Sequence, residues 1–241
     1  MKSCGGCTRQ NYYIIIYRLT ILSTFLIGGH YGYRCFYPED TYIDLSKGLI
    51  MLKFFTCITQ NLCFMYYLTS IVFLLFGYKN LHAYFYLSAF GYDMTMMSIY
   101  WAANFYDQTM ITSIEDLKYM PLWFNHLTHT VGLPALLLDA YLCIPKCVSF
   151  KKSMLISFPL GMAYNIYVET GILLWNTSPY PEILKYGFLL RHFSYLSVWL
   201  NLMFFTYLGT KFVQYLNNTY NINNNNSNDN QSQNMYKWHT D

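Results

Sequence analysis

The sequence predicts an all-α fold: a polytopic membrane bundle of about six transmembrane helices, followed by a disordered asparagine-rich tail. Two observations carry that prediction. Of 241 residues, 54% are hydrophobic and only 11% are charged, against about a quarter charged in an ordinary soluble domain. The apolar residues also gather into successive runs of about 20, the length that crosses a bilayer as a helix. The net charge of +3 is scattered between those runs. That pattern orients a membrane protein and does not make a nucleic-acid patch, so no nucleic-acid partner is expected.

The first span is read from about Tyr12 to Tyr33, with Arg18 placed to snorkel toward the N-terminal side. The run is long and no small-residue cleavage pattern follows it, so removal as a signal peptide is not expected. A polar loop holding Arg34, Glu39, Asp40, Asp44 and Lys47 leads to the second span, about Leu49 to Phe76. That span carries Lys53, Thr56, Gln60 and Asn61. The turn Gly77-Tyr78-Lys79-Asn80 opens the third span, about Leu81 to Phe105, with Asp93 in its middle.

After an acidic segment with Asp107, Glu115 and Asp116, the fourth span begins at Leu122 and reaches about Ile144. Pro134 is expected to kink it, because proline lacks the backbone donor and crowds the preceding turn. Lys146, Lys151 and Lys152 fill the next loop, and the fifth span is about Met154 to Trp175, with Glu169 near its end. The sequon Asn176-Thr177-Ser178 follows, then the sixth span, about Ile183 to Tyr207, with Arg191 and His192 in its first third. The organisation expected is a short N-terminus (1–11), a membrane domain (12–216) and a low-complexity tail (217–241). That tail has too little apolar surface to fold alone.

Counting basic residues in alternate loops puts both termini in the cytosol, as a multi-pass protein of the endoplasmic reticulum or plasma membrane. Seven cysteines, mostly in or beside apolar runs, do not suggest a secreted disulfide framework. The pair Cys4 and Cys7 suits palmitoylation beside the first span at least as well as zinc or redox chemistry.

The fourth span opens with the stretch that points to chemistry. His126 and His129 lie three residues apart and Asn125 four before His129, so a helix turns them to one side. Ionisable groups are costly in hydrocarbon and normally face the bundle interior. Residue counts place Thr56, His129, Glu169, Arg191 and His192 at similar depths, roughly 9 to 13 Å from one surface at 1.5 Å per residue. A threonine hydroxyl becomes a nucleophile once a base takes its proton. A histidine kept neutral in the bundle can be that base. Lys53 or Arg191 can hold an anionic group, and Glu169 can orient a histidine. The same residues also allow back-bonded threonines, a snorkelling lysine and a structural Glu169–Arg191 pair. Three other readings stay open: a haem-binding electron carrier, a small transporter with a proton relay, and a non-catalytic scaffold.

Specific residues carry a resemblance. They are Lys53-Phe54-Phe55-Thr56, Phe90, Trp101, Tyr106-Asp107, Met110-Ile111, Trp123-x-Asn125-His126-x-x-His129-Thr130, Leu133-Pro134, Asp139 and Tyr180-Pro181. With them the chain resembles the family of the androgen-induced gene 1 protein and the androgen-dependent TFPI-regulating protein. The resemblance implies a multi-span threonine hydrolase of fatty acid esters of hydroxy fatty acids, with Thr56 as nucleophile and His129 as the essential histidine. It implies no cofactor and no metal, and a lipid substrate taken from the bilayer. The oxyanion donors are not legible in the sequence, and Asn125 and His126 are named only as candidates. The oligomeric state is not legible in the sequence.

Overall fold

The computed structural model describes residues 5–44, 46–47, 51–52, 54–76, 79–107, 121–176 and 178–237, with side chains for all but 5–10, 79–80, 181–182 and 221–237. Among the described residues there is no strand, and eight helices follow one another. They are α1 (Gly5–Phe36), α2 (Phe55–Phe76), α3 (Lys79–Tyr106), α4 (Leu122–His129), α5 (Gly132–Leu142), α6 (Phe150–Trp175), α7 (Pro181–Lys185) and α8 (Phe188–Lys237). The expected all-helical bundle is found.

Three stretches are long and apolar enough to cross a membrane by length and composition: Asn11–Phe36, Phe55–Phe76 and Phe188–Tyr220. The shorter apolar helix Gly132–Leu142 accompanies them. Helices α3 and α6, at 28 and 26 residues, have the length without that apolarity. The surface is also inverted relative to a water-soluble protein. Ile27, Leu75, Leu155, Leu173, Leu189 and Phe193 face outward, while Arg18, His82, Asp93 and Asp139 are buried. Several apolar helices with polar groups turned inward are the pattern of a membrane protein.

Helix α3 is the central rod, touching α2, α4, α5, α6 and α8. Its buried polar residues lower its apolarity, and they face protein instead of lipid. A Cβ at Gly91 would come within 2.3 Å of Thr206 Oγ1, so α8 approaches α3 at a distance only glycine allows. On the other side, Ser153, Ser157 and Gly161 of α6 form a small-residue stripe at four-residue spacing. Ser157 Oγ donates to Ser88 Oγ at 3.0 Å, and Tyr92 Oη donates to the Ser157 carbonyl at 2.8 Å.

Four helices are pinned by one buried polar cluster. Arg18 of α1 donates from Nε to Asp139 Oδ1 at 2.8 Å and from Nη2 to Asp139 Oδ2 at 3.0 Å, while Nη1 reaches the Ser70 carbonyl at 2.7 Å. Tyr66 of α2 donates to Asp139 Oδ2. His82 Nε2 of α3 lies 3.1 Å from Arg18 Nη2 and 2.9 Å from Tyr66 Oη. Arg18 therefore does not snorkel. Its guanidinium is fully buried and bidentate on a carboxylate of α5, because a charge this deep is stable only when paired.

Some boundaries depart from the sequence expectation. The second helix begins at Phe55 instead of near Leu49, so Thr56 is the second residue of α2 and not about seven residues inside a span. The sixth begins at Phe188, after a separate turn, α7, that starts on Pro181. The asparagine tract, expected to be disordered, continues the backbone of α8 to Lys237. Extending an existing helix needs no new nucleus. The Cys4/Cys7 pair and Lys53 lie outside the described side chains.

The loop after α1 is knotted by charge. Lys47 Nζ donates to Asp40 Oδ1 at 2.6 Å, Tyr33 Oη donates to Oδ2 at 2.5 Å, and the Asp44 amide donates to Tyr33 Oη at 2.8 Å. The Lys47 bond first, then the Tyr33 bond, hold the Asp40 carboxyl below the usual carboxylate range.

Two outcomes follow for stability. A carboxyl with a lowered folded pKa stabilises above its unfolded value, about pH 4, and that contribution is lost as pH falls through the folded value. Melting curves taken across the acid range should contain this step in the wild type and lack it in Asp40→Asn. In the core, Asp139→Asn leaves Arg18 without a counter-ion and should cost about 3–5 kcal/mol, whereas Arg18→Met with Asp139→Leu should cost much less. Detergent denaturation of the two variants gives the comparison.

Candidate functional site at the α4–α5 break

The expected fourth span is two helices. At the end of α4 the amides of Thr130 and Val131 both donate to the His126 carbonyl, at 2.9 and 3.1 Å. Thr130 leaves the helical region at φ −131, ψ −37, and Gly132 starts α5. The cause is Pro134. Its ring crowds the carbonyl four residues back, that of Thr130, and it has no N–H to donate there. The kink expected at Pro134 therefore appears as a break one turn earlier, and Pro134 occupies the first turn of α5, where its missing donor is harmless.

The break places the two histidines differently. His129 is buried, its ring stacked on Tyr100 of α3 with centroids 3.4 Å apart at 18°, and its Nδ1 is 3.2 Å from Met96 Sδ. With Nδ1–H directed at that sulfur, Nε2 is left as the acceptor nitrogen, and it has no partner among the described residues. His126 is exposed, tilted on the Trp101 ring at 5.2 Å, with Nδ1 3.5 Å from Thr130 Oγ1. Trp101 Nε1 donates to the same hydroxyl at 3.2 Å. Asn125 is half-buried, and its carbonyl accepts from Thr128 Oγ1 at 3.2 Å. Asp93 packs on the first residue of α5: a Cβ at Gly132 would lie 2.3 Å from its Oδ1. Cys63 Sγ of α2 approaches the same oxygen at 3.8 Å.

Helix α2 reaches this region through Gln60, whose Nε2 donates to the Thr128 carbonyl at 3.2 Å. Thr56 is one turn earlier on the same face, about 6 Å along the axis. Its hydroxyl is unlike those of Thr20, Thr24, Thr59, Thr69, Thr95, Thr128 and Thr210, which all donate to a carbonyl one turn back. Thr56 is the second residue of its helix and donates to no acceptor among the described residues. No hydrogen bond joins Thr56 to His129 among the described residues.

Glu169 and Arg191 form a separate pair. Arg191 donates from Nε and Nη2 to the two carboxylate oxygens, at 3.0 and 2.7 Å, and Tyr195 Oη donates to Oε2 at 3.1 Å. The arginine fork is thus occupied by Glu169, and Glu169 orients no histidine of α4. His192 is exposed and turns Nδ1 to the Phe188 carbonyl at 2.9 Å. Among the described residues no group of three or more His, Cys, Asp or Glu is arranged to hold a metal.

Comparison with known sequences decides the family. The profile of the FAR-17a/AIG1-like protein family matches residues 11–217. The chain belongs to that family. Neither the curated proteins nor the solved structures contain a match. The FAR-17a/AIG1-like match is the androgen-induced gene 1 family, so the resemblance read from the residues holds. It spans every helix from α1 into α8 and stops at Asn217, whose side chain ties α8 to the Pro145 carbonyl at 2.8 Å.

Sequence reasoning passed over Arg18 and Asp139 as partners, and it passed over His82. One signal was available. Asp139 is the single charged residue from Leu122 to Ile144, and an unpaired charge in an apolar run demands a partner.

The fit of Asp93 against Gly132 is testable. Gly132→Ala should destabilise by about 1–3 kcal/mol through overpacking. Adding Asp93→Ala should recover part of that loss, and a double-mutant cycle in detergent melts measures the coupling.

Proposed function

We propose that this protein is an intramembrane lipid-ester hydrolase in which Thr56 is the nucleophile and His129 the general base. The observation that carries the reading is the Thr56 hydroxyl, which has no hydrogen-bond partner among the described residues. It lies on the α2 face that Gln60 ties to Thr128, the residue before a buried histidine whose Nε2 has no partner among the described residues. As the second residue of α2, Thr56 also stands where helix amides point outward and the dipole favours negative charge, which eases alkoxide formation.

The substrates this reading favours are fatty acid esters of hydroxy fatty acids, entering sideways from the bilayer. His129 Nε2 takes the Thr56 proton as Oγ1 attacks the ester carbonyl. The tetrahedral intermediate collapses, the C–O bond to the hydroxy acid breaks, and His129 returns its proton to that leaving oxygen. Water, deprotonated by the same nitrogen, then attacks the threonyl ester and releases the fatty acid. Because Glu169 engages Arg191, Lys53 is the better candidate to meet the substrate's free carboxylate. No cofactor is required. The setting proposed is the endoplasmic reticulum or plasma membrane, with both termini cytosolic.

The test is covalent labelling of folded protein in detergent by a fluorophosphonate probe. Wild type and Thr20→Ala should label, Thr20 being exposed on α1 and bonded to its own helix. Thr56→Ala and His129→Ala should fall to background. An unlabelled wild type would sink the hydrolase reading.

A further inference from the structure

We infer that Gln60 is a positioning residue for the reaction at Thr56: it caps the open end of α4 from another helix, and so fixes the helix of the nucleophile against the helix of the base. The inference rests on the hydrolase reading and adds a residue to it.

The break after α4 creates the acceptor. In a continuous helix the Thr128 carbonyl would take the amide four residues on, that of Gly132. Here the Thr130 and Val131 amides both go to the His126 carbonyl, at 2.9 and 3.1 Å, and Val131 is a bend outside any hydrogen-bonded turn. Gly132 opens the next helix and returns no bond to Thr128. The Thr128 carbonyl is therefore one of the orphan acceptors that a helix C-terminus leaves, and it must be satisfied from elsewhere.

Gln60 satisfies it from α2. Its Nε2 lies 3.2 Å from the Thr128 oxygen. A carbonyl can only accept, so the end of the amide turned toward it is the NH2 end, and chemistry alone settles which way the side chain faces. The adjacent Asn61 shows the other fate of an amide on this helix. It is exposed, and its Nδ2 donates to the Cys57 carbonyl one turn back at 2.7 Å. Gln60 is half-buried and spends its donor across the gap between helices.

The remaining contacts of α4 do not involve α2. His129 stacks on Tyr100 of α3. Phe124 and Leu127 lie over glycines of α1, where a Cβ at Gly32 or Gly28 would come within 3.1 or 2.9 Å of them. Ring stacks and apolar side chains on glycine tolerate some slip, whereas a hydrogen bond weakens steeply with distance and angle. The Gln60 bond therefore sets the register of α2 on α4. Each of its ends adjoins a reacting residue: Thr56 stands one turn before Gln60, and His129 directly follows Thr128. Proton transfer from Oγ1 to Nε2 is sensitive to such placement, and an error of about 1 Å can cost about 100-fold in rate. Gln60 touches no reacting atom and exchanges no proton, so His129 remains the proton carrier of the reaction.

Gln60→Met keeps the length of the side chain and removes the donor. Gln60→Asn keeps the amide and is one methylene too short to reach. With p-nitrophenyl decanoate, each should lower kcat about 10- to 100-fold with KM within about two-fold. Fluorophosphonate labelling should slow by the same factor, because phosphonylation uses the same oxygen and base. Ser157→Ala separates placement from plain stability. It removes a buried bond between α6 and α3, so it should lower the melting temperature and leave kcat and the labelling rate at wild-type values. Wild-type kcat and labelling in Gln60→Met overturn the assignment, and so does a loss confined to KM. Should Gln60→Met fail to fold, the same two results in Gln60→Asn decide it. A wild type that takes no label, or a Thr56→Ala protein that still labels, defeats the hydrolase reading itself.

Discussion

The arrangement of this bundle depends on the buried pair Arg18–Asp139. Inside a bilayer, helices gain little from the hydrophobic effect when they meet, because lipid tails are as apolar as leucine. Packing and polar bonds must then decide which faces touch. A guanidinium and a carboxylate out of water are expensive unless each lone pair and proton finds a partner. Here the fork of Arg18 spans both oxygens of Asp139 and the Ser70 carbonyl, with Tyr66 and His82 closing the remainder. One arrangement of α1, α2, α3 and α5 satisfies that set. Sliding any helix by a turn would leave a charge bare.

That pin bears directly on the candidate site. Helix α5 has only 11 residues, too few to fix its own depth and rotation by apolar packing alone. Asp139 anchors its far half. Its first residue, Gly132, lies about 10 Å back along the axis at 1.5 Å per residue. There the Asp93 carboxylate presses against the backbone. The chain then turns through Thr130 into α4 and His129. The imidazole is placed from two directions, by α5 hung from Arg18 and by the stack on Tyr100. A continuous helix through this region would have swung His129 round with every adjustment of Asp139. The break that Pro134 imposes uncouples them in rotation and keeps them tied in position.

What the sequence disclosed and what it hid divide along one line. Whatever depends on neighbours in the chain was readable. Deficit of charge indicated apolar helices, Pro134 indicated the interruption of the fourth span, and residues from Lys53 to Tyr180 indicated the family. Whatever depends on a partner far along the chain was not. Arg18 near the end of an apolar run looks the same whether it snorkels or pairs, and its partner stands 121 residues away. Thr56 was placed well inside a span by hydropathy, which cannot see that the helix waits until Phe55 to begin. Glu169 and Arg191 were correctly seen as unusual, and their depths were similar. Their structural pair was one of the alternatives left open, because depth carries no azimuth and does not choose between that pair and a contact with the α4 histidines.

The two polar regions differ in how their charged and titratable groups are partnered. Around Asp139 every charged atom has its partner, which suits a lock: any loose proton or lone pair there would cost stability and gain nothing. Around Thr56 the reverse holds. The Thr56 hydroxyl and the Nε2 of His129 have no partner among the described residues, while the His129 ring is held by Tyr100 and Met96. On the reading proposed above, these are the two groups an ester's attack requires, a hydroxyl to add to the carbonyl and a base to take its proton.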